Sequence, residues 1–404
     1  MAPLTPRSPP SPPPSPPAGD CFRRTLGGLL RLTLLGLPGR RATGPGPDAD
    51  GDMMVSREAS EDIGKKRRCD TEVSTYAGSA GSLTGNLSDA SLCKDPDADE
   101  GPRLLAAGFQ IPHPDKVQYG GEDAFFICQH GASLGVADGV SEWGWRFDMN
   151  PRDFAEGLMT GAKATAERLW LEGKVDPTTR AFQAMQEGFA ATDAFGASTA
   201  IVAALDSTTS EVGVANLGDS GLRLLRRLPT DSAMTVVERT VEQQHSFCHP
   251  YQLSNIPKPE QYAALLAAGK KLLVEAVSAT IARGRLRLDS PEDSLRYTFK
   301  VEDGDLLILG SDGLFDNLDD DAILEVVAKA QMAKGFLPQE DARPDPSYLA
   351  RALATQASRN STDQGAQTPF CESARRHGYT EVSGGIVDDI TCVCAWVTRS
   401  REPR

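Results

Sequence analysis

Five short acidic segments, each beside a glycine or another small turn-forming residue, constrain this chain more than any other feature of its sequence. They are Gly121-Glu122-Asp123, Val136-Ala-Asp138-Gly139, Asn216-Leu-Gly-Asp219-Ser220, Gly310-Ser-Asp312-Gly-Leu-Phe-Asp316-Asn317 and Val387-Asp388-Asp389-Ile-Thr391. Most of them adjoin an apolar run of strand length, so each carboxylate is expected at a strand end that no neighbouring side chain covers. If these strand ends meet at one end of a sandwich, the like charges are unstable without cations.

The kind of cation follows from the ligand atoms. A single Asp-Gly is more often an ordinary turn, but five such segments at strand ends favour a shared site. Hard carboxylate oxygens without matching His or Cys favour Mg²⁺ or Mn²⁺ over Zn²⁺. The formal net charge of −14, from 42 basic and 56 acidic residues, also suits a protein that holds divalent cations. The same charge argues against nucleic acid as the main partner, because phosphate binding needs clustered Lys and Arg.

The apolar pattern from residue 101 onward alternates short strands with amphipathic helices. Strand runs flank short turns at residues 129–132 and 206–209, which predicts two hairpins. Apolar residues at three- and four-residue spacing predict a helix from Pro151 to Gly173. Further strands are predicted at 221–225, 306–309 and 390–397, and further helices around 323–330 and 348–358. Helices grouped between hairpins predict an α+β fold.

The first hundred residues have a different composition. They are rich in Pro, Ser, Gly and charged residues and have too few large apolar side chains for a core, so residues 1–100 are predicted to be disordered. Residues 21–37 are apolar, but arginines interrupt them, which excludes a transmembrane span. An Arg-rich, acid-poor segment is typical of organelle transit peptides, so import into a mitochondrion or chloroplast is expected. The alternative is a tail without an address, in a cytoplasmic protein.

The globular domain is therefore predicted at residues 101–400. Within it, residues 258–284 are predicted to form an insertion, because the helical and apolar pattern of Tyr262–Ala282 lies between two strand-rich regions. This position indicates a helical insertion or lid.

Six motifs, taken in order, resemble the motif set of metal-dependent (PPM, type 2C) protein serine/threonine phosphatases. They are Glu122-Asp123, Ala137-Asp138-Gly139, Gly196-Ala-Ser198-Thr199-Ala, Asn216-Leu-Gly-Asp219-Ser220, Asp312-Gly-Leu-Phe-Asp316-Asn317 and Asp388-Asp389-Ile-Thr391. The branch that includes the T-cell activation protein phosphatase homologue and its organellar and plant relatives is the most similar. Three stretches carry that narrower resemblance: Val136-Ala-Asp-Gly-Val, Gln243-Gln-His245-Ser-Phe with Gln252-Leu-Ser254, and Thr368-Pro-Phe370 before Gly384-Gly385.

The resemblance implies a four-layer αββα sandwich, in which two mainly antiparallel sheets are flanked by helices. It also implies two or three Mn²⁺ or Mg²⁺ ions per chain in a cleft at one end. By the same resemblance, Asp138 bridges two metals, with Asp312 and Asp388 as the other main acids. The remaining implied ligands are Glu122, Asp123 and the carbonyl of Gly139, with Asp219 and Asp316 at a possible third metal.

The implied reaction is hydrolysis of phosphoserine and phosphothreonine in phosphorylated proteins, by a hydroxide that bridges the two metals. The chain would act as a monomer. Two family positions differ here: Gln118 stands where many members have a phosphate-binding Arg, and Val140 where many have a His. The substrate-phosphate contact is therefore unknown, and the candidates that remain are Lys116, Arg146 and His245.

Two other functions remain possible at this point. The missing Arg and His would suit a catalytically weak binding protein that keeps the PPM fold. Gly218-Asp-Ser220-Gly221 reproduces the residues around the nucleophile of chymotrypsin-like proteases, which would make Ser220 the nucleophile of a serine hydrolase.

Overall fold

The structure, a computed structural model, describes residues 101–399 apart from 174, 229–232 and 333–342. The disordered region predicted for residues 1–100 and the transit peptide predicted at 21–37 lie outside the described residues. Both remain predictions.

Strands and helices account for most of the described residues. The strands are β1 (Pro102–Ile111), β2 (Ala124–Ile127), β3 (Ser133–Ala137), β4 (Gly196–Ser198), β5 (Ala200–Asp206), β6 (Glu211–Leu217), β7 (Gly221–Arg227), β8 (Met234–Arg239), β9 (Gln244–Ser246), β10 (His249–Pro250), β11 (Leu253–Asn255), β12 (Leu295–Lys300), β13 (Leu306–Gly310) and β14 (Ile390–Arg399). The helices are α1 (Glu142–Phe147), α2 (Pro151–Glu172), α3 (Pro177–Ala191), α4 (Tyr262–Ala267), α5 (Lys271–Ala282), α6 (Asp312–Phe315), α7 (Asp320–Met332), α8 (Pro346–Thr362) and α9 (Pro369–Arg376). None of these helices is both long enough and apolar enough to cross a membrane.

Two five-stranded antiparallel sheets form the centre of the fold. One sheet has the order β1-β14-β13-β7-β8, and the other has the order β12-β6-β5-β3-β2. The apolar side chains between the sheets come from both, as Val136 and Ile201 on one side and Leu222 and Leu309 on the other illustrate. Burial of this apolar area is the main force that holds the two sheets together.

Helices cover the outer face of each sheet. Phe154 and Leu158 of α2 and Met185 of α3 belong to a second buried cluster, against the β2-β3-β5-β6 side. Ile323 of α7 and Leu353 of α8 belong to a third cluster, against β13 and β14. The four layers αββα implied by the sequence resemblance are confirmed, and so is the α+β class.

Local sequence signals set the bounds of α2 as predicted. The side chain of Asn150 accepts a hydrogen bond from the backbone N–H of Arg152, and Pro151 occupies the first helical position. Gly173 ends the helix at a φ of 63°, a conformation that favours glycine.

The insertion predicted at 258–284 consists of two helices, α4 and α5, instead of one continuous helix. Gly269, with a φ of 79°, separates them. Leu273 and Val277 of α5 are buried with Trp143 and Phe147 of α1. The insertion is thereby attached to the helix that follows the acidic turn after β3.

Candidate metal centre

The register of the second sheet places two acidic segments at the same end. Ala124 at the start of β2 pairs with Ala137 at the end of β3. Asp123 directly precedes the first of these residues and Asp138 directly follows the second. The two carboxylates therefore leave adjacent strands at one edge of the sheet.

The first sheet has the same arrangement. Gly310 at the end of β13 pairs with Gly221 at the start of β7 and with Cys392 near the start of β14. The acidic turns beside these strand ends therefore leave the sheet together, and their acids are Asp219, Asp312 and Asp388.

The carboxylates of the two sheets meet. Burial raises the pKa of Asp138 well above its ordinary value, and the charges of Asp312, Asp123 and Asp388 raise it further. Burial likewise raises the pKa of Asp219, followed by the charge of Asp312. These mutual effects arise because acids from distant parts of the chain lie close together in one buried region.

Asp316 extends this cluster from α6. Burial raises its pKa well above the ordinary value, followed by the charges of Asp312, Glu242, Asp219 and Asp388. The two acids expected at a third metal, Asp219 and Asp316, therefore interact with each other and with Asp312.

Asp123 lies beside the hydroxyls of Thr391 and Ser311 and the carboxylates of Asp389 and Asp312. Thr391 Oγ1 donates to Asp123 Oδ2 at 2.7 Å. Burial, followed by the charge of Asp389, raises the pKa of Asp123 to about 8. Asp123 Oδ1 and Asp219 Oδ1 are buried and have no hydrogen-bond partner among the described residues. Buried acceptors of this kind fit a bound cation.

Glu122 differs from these acids because a lysine contacts it. Lys116 Nζ donates to Glu122 Oε2, to Asp389 Oδ2 at 2.7 Å and to Ser141 Oγ at 3.0 Å. It also lies 3.8 Å from Asp388 Oδ1. The Lys116 side chain is only 11% exposed, so this end of the cluster already contains a positive charge.

Asp389 organises the chain around that lysine. Its carboxylate accepts hydrogen bonds from the backbone N–H of His113 at 2.7 Å and of Glu122 at 3.2 Å. Gly121 has a φ of 85°, and a Cβ at this position would lie 2.5 Å from Asp389 Oδ1. The sequence reasoning quoted Asp389 within a motif but gave it no role. The adjacent Asp388-Asp389 pair was the one sequence signal for such a role, because two carboxylates that are neighbours in sequence seldom contact the same ligand.

The carboxylate oxygens of the cluster and the carbonyl of Gly139 are the kinds of ligand atom that divalent metals prefer. A Cβ on Gly139 would lie 2.6 Å from the carbonyl oxygen of Glu122, so the backbone approaches closely where a carbonyl ligand is expected. Among the described residues, no three His, Cys, Asp or Glu side chains already surround one point as metal ligands.

A cavity of about 290 Å³ opens beside the acids. Its lining includes Asp312 and Asp388 together with residues from all three branch-specific stretches, among them Val140, Phe247 and Phe370. The rings of Phe247 and Phe370 are 6.0 Å apart. Segments that are far apart in sequence thus form one wall of the cavity. The cavity lies beside the acids, where a substrate could reach them.

The three phosphate candidates from the sequence lie in different surroundings. Lys116 is inside the acidic cluster, Arg146 forms an ion pair with Glu142, and His245 Nε2 lies 3.0 Å from Asp289 Oδ1. None of the three belongs to the described residues that line the cavity.

Arg376, at the end of α9, is the only Lys or Arg among the described residues lining the cavity. The sequence reasoning missed it. The sequence around Arg376 does not distinguish it from Arg375, because both arginines stand at the end of the same helix. Only the folded structure shows that Arg376 lines the cavity and Arg375 does not.

The structure argues against the serine-hydrolase alternative. Ser220 is fully buried, and its hydroxyl is hydrogen-bonded to that of Thr199 at 2.8 Å. A nucleophile must reach its substrate, and this hydroxyl is enclosed between strands.

Known proteins with related sequences are phosphatases. The chain is 35% identical over 286 residues to the Protein phosphatase PTC7 homolog of Xenopus laevis, which covers 69% of this chain and 81% of the relative. It is 32% identical over 313 residues to Probable protein phosphatase 2C 55 of Arabidopsis thaliana, which covers 78% of this chain. That match spans only 55% of the Arabidopsis protein's own length. No family model matches the chain.

A solved structure supports the same relationship. The X-ray structure of the photosystem II phosphatase PBCP matches with a TM-score of 0.55 and 29% sequence identity. The match covers 73% of this chain and 99% of that one. It therefore includes nearly all of the described sandwich.

Proposed function

The chain belongs to the metal-dependent (PPM, type 2C) protein phosphatase family, and from this premise we propose that it is a protein serine/threonine phosphatase. Its substrates would be phosphoserine and phosphothreonine in proteins, hydrolysed at a centre of two Mn²⁺ or Mg²⁺ ions. One observation carries the proposal. Buried acids from five separate segments meet beside a cavity and raise one another's pKa. Such a cluster is stable only with cations or with protons.

Each carboxylate has an assigned part in this proposal. Asp138 lies where it interacts with Asp312, Asp123 and Asp388, which suits the bridging position. Glu122 and the Gly139 carbonyl complete the two-metal set, and Asp219 and Asp316 would hold a third ion. Bound divalent cations supply an activated water and neutralise charge on the phosphoryl oxygens.

The cavity would bind the substrate. Its lining includes Trp145, Phe247 and Phe370, which could pack against the peptide beside the phosphorylated residue. Arg376 would donate hydrogen bonds to the phosphate, in the role that Gln118 cannot fill, because a guanidinium pairs with phosphate oxygens in a bidentate manner. Gln118 itself is exposed.

A phosphatase assay tests the proposal directly. The full chain, stripped of metal with a chelator, should release phosphate from a phosphothreonine peptide only after Mn²⁺ or Mg²⁺ is added. Ser220→Ala should keep this activity, which separates the phosphatase from a serine hydrolase. A folded wild-type protein without turnover at any metal concentration would favour a non-catalytic PPM-fold binding protein instead.

We also propose import into an organelle, on the Arg-rich and acid-poor composition of residues 21–37. A fluorescent fusion of residues 1–100 should accumulate in mitochondria or chloroplasts. A diffuse cytoplasmic signal would contradict this assignment.

A further inference from the structure

One buried cation divides the acidic cluster into two unlike parts. Lys116 Nζ has three N–H groups, and its three hydrogen-bond acceptors are Glu122, Asp389 and Ser141. The carboxylate of Asp388 is a fourth neighbour at 3.8 Å. The ammonium group is therefore fully bonded and partly neutralises three acids.

The turn that carries Lys116 holds the ammonium group in place. A 3₁₀ turn covers Pro114–Tyr119, and Gly120 and Gly121, both with a φ of 85°, then reverse the chain. This reversal brings Glu122 back beside Lys116, and the N–H of Gly121 donates to the Lys116 carbonyl at 3.2 Å. The backbone of Lys116 is thus part of a compact loop, while its ammonium group is held by the three side-chain hydrogen bonds.

The charge state of Lys116 is set by its neighbours. Burial alone would lower its pKa, but the carboxylates of Asp388, Glu122 and Asp389 together outweigh burial and raise it. In contrast, Asp138, Asp219 and Asp316 have no Lys or Arg within ion-pair distance among the described residues. A divalent ion that approaches these three acids therefore does not have to displace a bonded ammonium group.

We propose that Lys116 competes with divalent metal for Glu122, so that metal loads first at the Asp138–Asp312 side and more weakly at the Glu122 side. The inference rests on the proposed metal centre but not on turnover. Lys116 must release Glu122 before that carboxylate can rotate toward an ion, and its positive charge opposes the ion's approach. Lys116 is on this account a positioning residue that sets unequal affinity between neighbouring metal sites.

Calorimetric titration of the metal-free full chain with Mn²⁺ tests this. The wild type should show a tighter and a weaker class of sites. Lys116→Met should strengthen the weaker class by about tenfold or more and leave the tighter class unchanged. Lys116→Arg, which keeps the charge, should behave like the wild type. A merely structural role for Lys116 would not tighten metal binding when the side chain is shortened to an apolar one.

Lys300→Met is the matched control. Lys300 forms an ion pair with Glu211 at 2.9 Å, at the end of β6 opposite to Asp219. Lys300→Met therefore changes the net charge by the same amount as Lys116→Met, but far from the acidic cluster. If Lys116→Met does not fold, Lys116→Gln removes the charge and keeps two amide donors. Unchanged or weaker Mn²⁺ binding in the folded variant would overturn the competition alone. A wild type that binds no Mn²⁺ would overturn the proposed metal centre as well.

Discussion

The acidic cluster has two halves, a lysine half around Lys116 and an open half without a lysine, and the carboxylates of the two halves have different neighbours. In the lysine half, Glu122, Asp388 and Asp389 surround Lys116, and backbone N–H groups also bond to Asp389. The open half consists of Asp138, Asp219, Asp312 and Asp316, and the charged groups nearest to them are mainly other carboxylates. Burial, followed by these charges, raises the pKa of Asp138, Asp219 and Asp316.

The difference separates two uses of a buried carboxylate. A carboxylate that is bonded to a cation and to amides joins segments of the fold, as Asp389 joins the loop before β2 to the start of β14. A carboxylate that faces only its own kind lowers stability unless an external cation arrives. By this criterion Asp389 is structural and Asp138, Asp219 and Asp316 are metal-binding, whereas Glu122 and Asp388 contact Lys116 and also belong to the proposed ligand set.

The largest expected effect comes from the open half. Asp138→Ala should lower kcat by on the order of 10³-fold, because metal ions contribute several kcal/mol to the transition state. It should also weaken Mn²⁺ binding while the Tm of the metal-free protein stays equal or rises, since one repelling charge is removed. Steady-state assays and thermal melts measure both. Asp115→Ala, at a side chain 83% exposed, is the control and should keep activity; full activity of the Asp138 variant would refute the bridging role.

The equivalent substitution in the lysine half, Asp389→Ala, should lower the stability of the fold. Asp389→Ala removes acceptors from two backbone N–H groups and from Lys116, so the free energy of unfolding should fall by about 3 kcal/mol. Urea unfolding of the metal-free protein measures this. If Asp389→Ala costs no more stability than Asp138→Ala, the distinction between the two halves is wrong.

Arg376→Ala tests whether the cavity binds phosphate. Loss of a charged hydrogen bond should raise the KM for a phosphopeptide and the Ki for inorganic phosphate by roughly tenfold. Arg375→Ala is the matched control, because Arg375 bonds to Gln367 at 3.0 Å and does not line the cavity. An unchanged Ki for phosphate in the Arg376 variant would reject the contact, whatever happens to the peptide KM.

The smallest expected effect is a dependence of stability on pH. The pKa of Asp123 rises to about 8 in the fold, whereas the unfolded carboxyl has an ordinary value. Between these values the folded state holds more protons than the unfolded state, so stability falls as the pH rises. The metal-free Tm should drop by about 3 °C or more from pH 5 to pH 8, and Mn²⁺ should remove the drop. A metal-free Tm that rises over this range would contradict the burial of Asp123 among other acids.

Much of the fold was predictable because local signals agree with the tertiary structure. The hairpin of β2 and β3 was expected from two apolar runs around a Gly-containing turn. Helix α2 was expected from its apolar spacing between Pro151 and Gly173. The acids could be grouped because each stands at a strand end beside a turn. Strand ends are local features, and antiparallel pairing brings them to a common edge.

The remaining features depend on contacts that sequence spacing does not encode. The partners of Lys116 lie up to 273 residues away, so its place among the acids could not be predicted from its own segment. Arg376 differs from Arg375 only by the face of α9 on which it lies. The insertion was expected as one helix, but Gly269 ends α4 in a left-handed turn before α5 begins.

The central claim is that acids from five strand ends hold divalent metal beside the cavity. Anomalous diffraction at the manganese edge, from crystals of the full chain grown with Mn²⁺, tests it most directly. The account predicts peaks between Asp138 and Asp312, with a weaker peak beside Glu122 that strengthens in Lys116→Met. Ordered crystals with no peak at these carboxylates, or with peaks only on the outer surface, would contradict it.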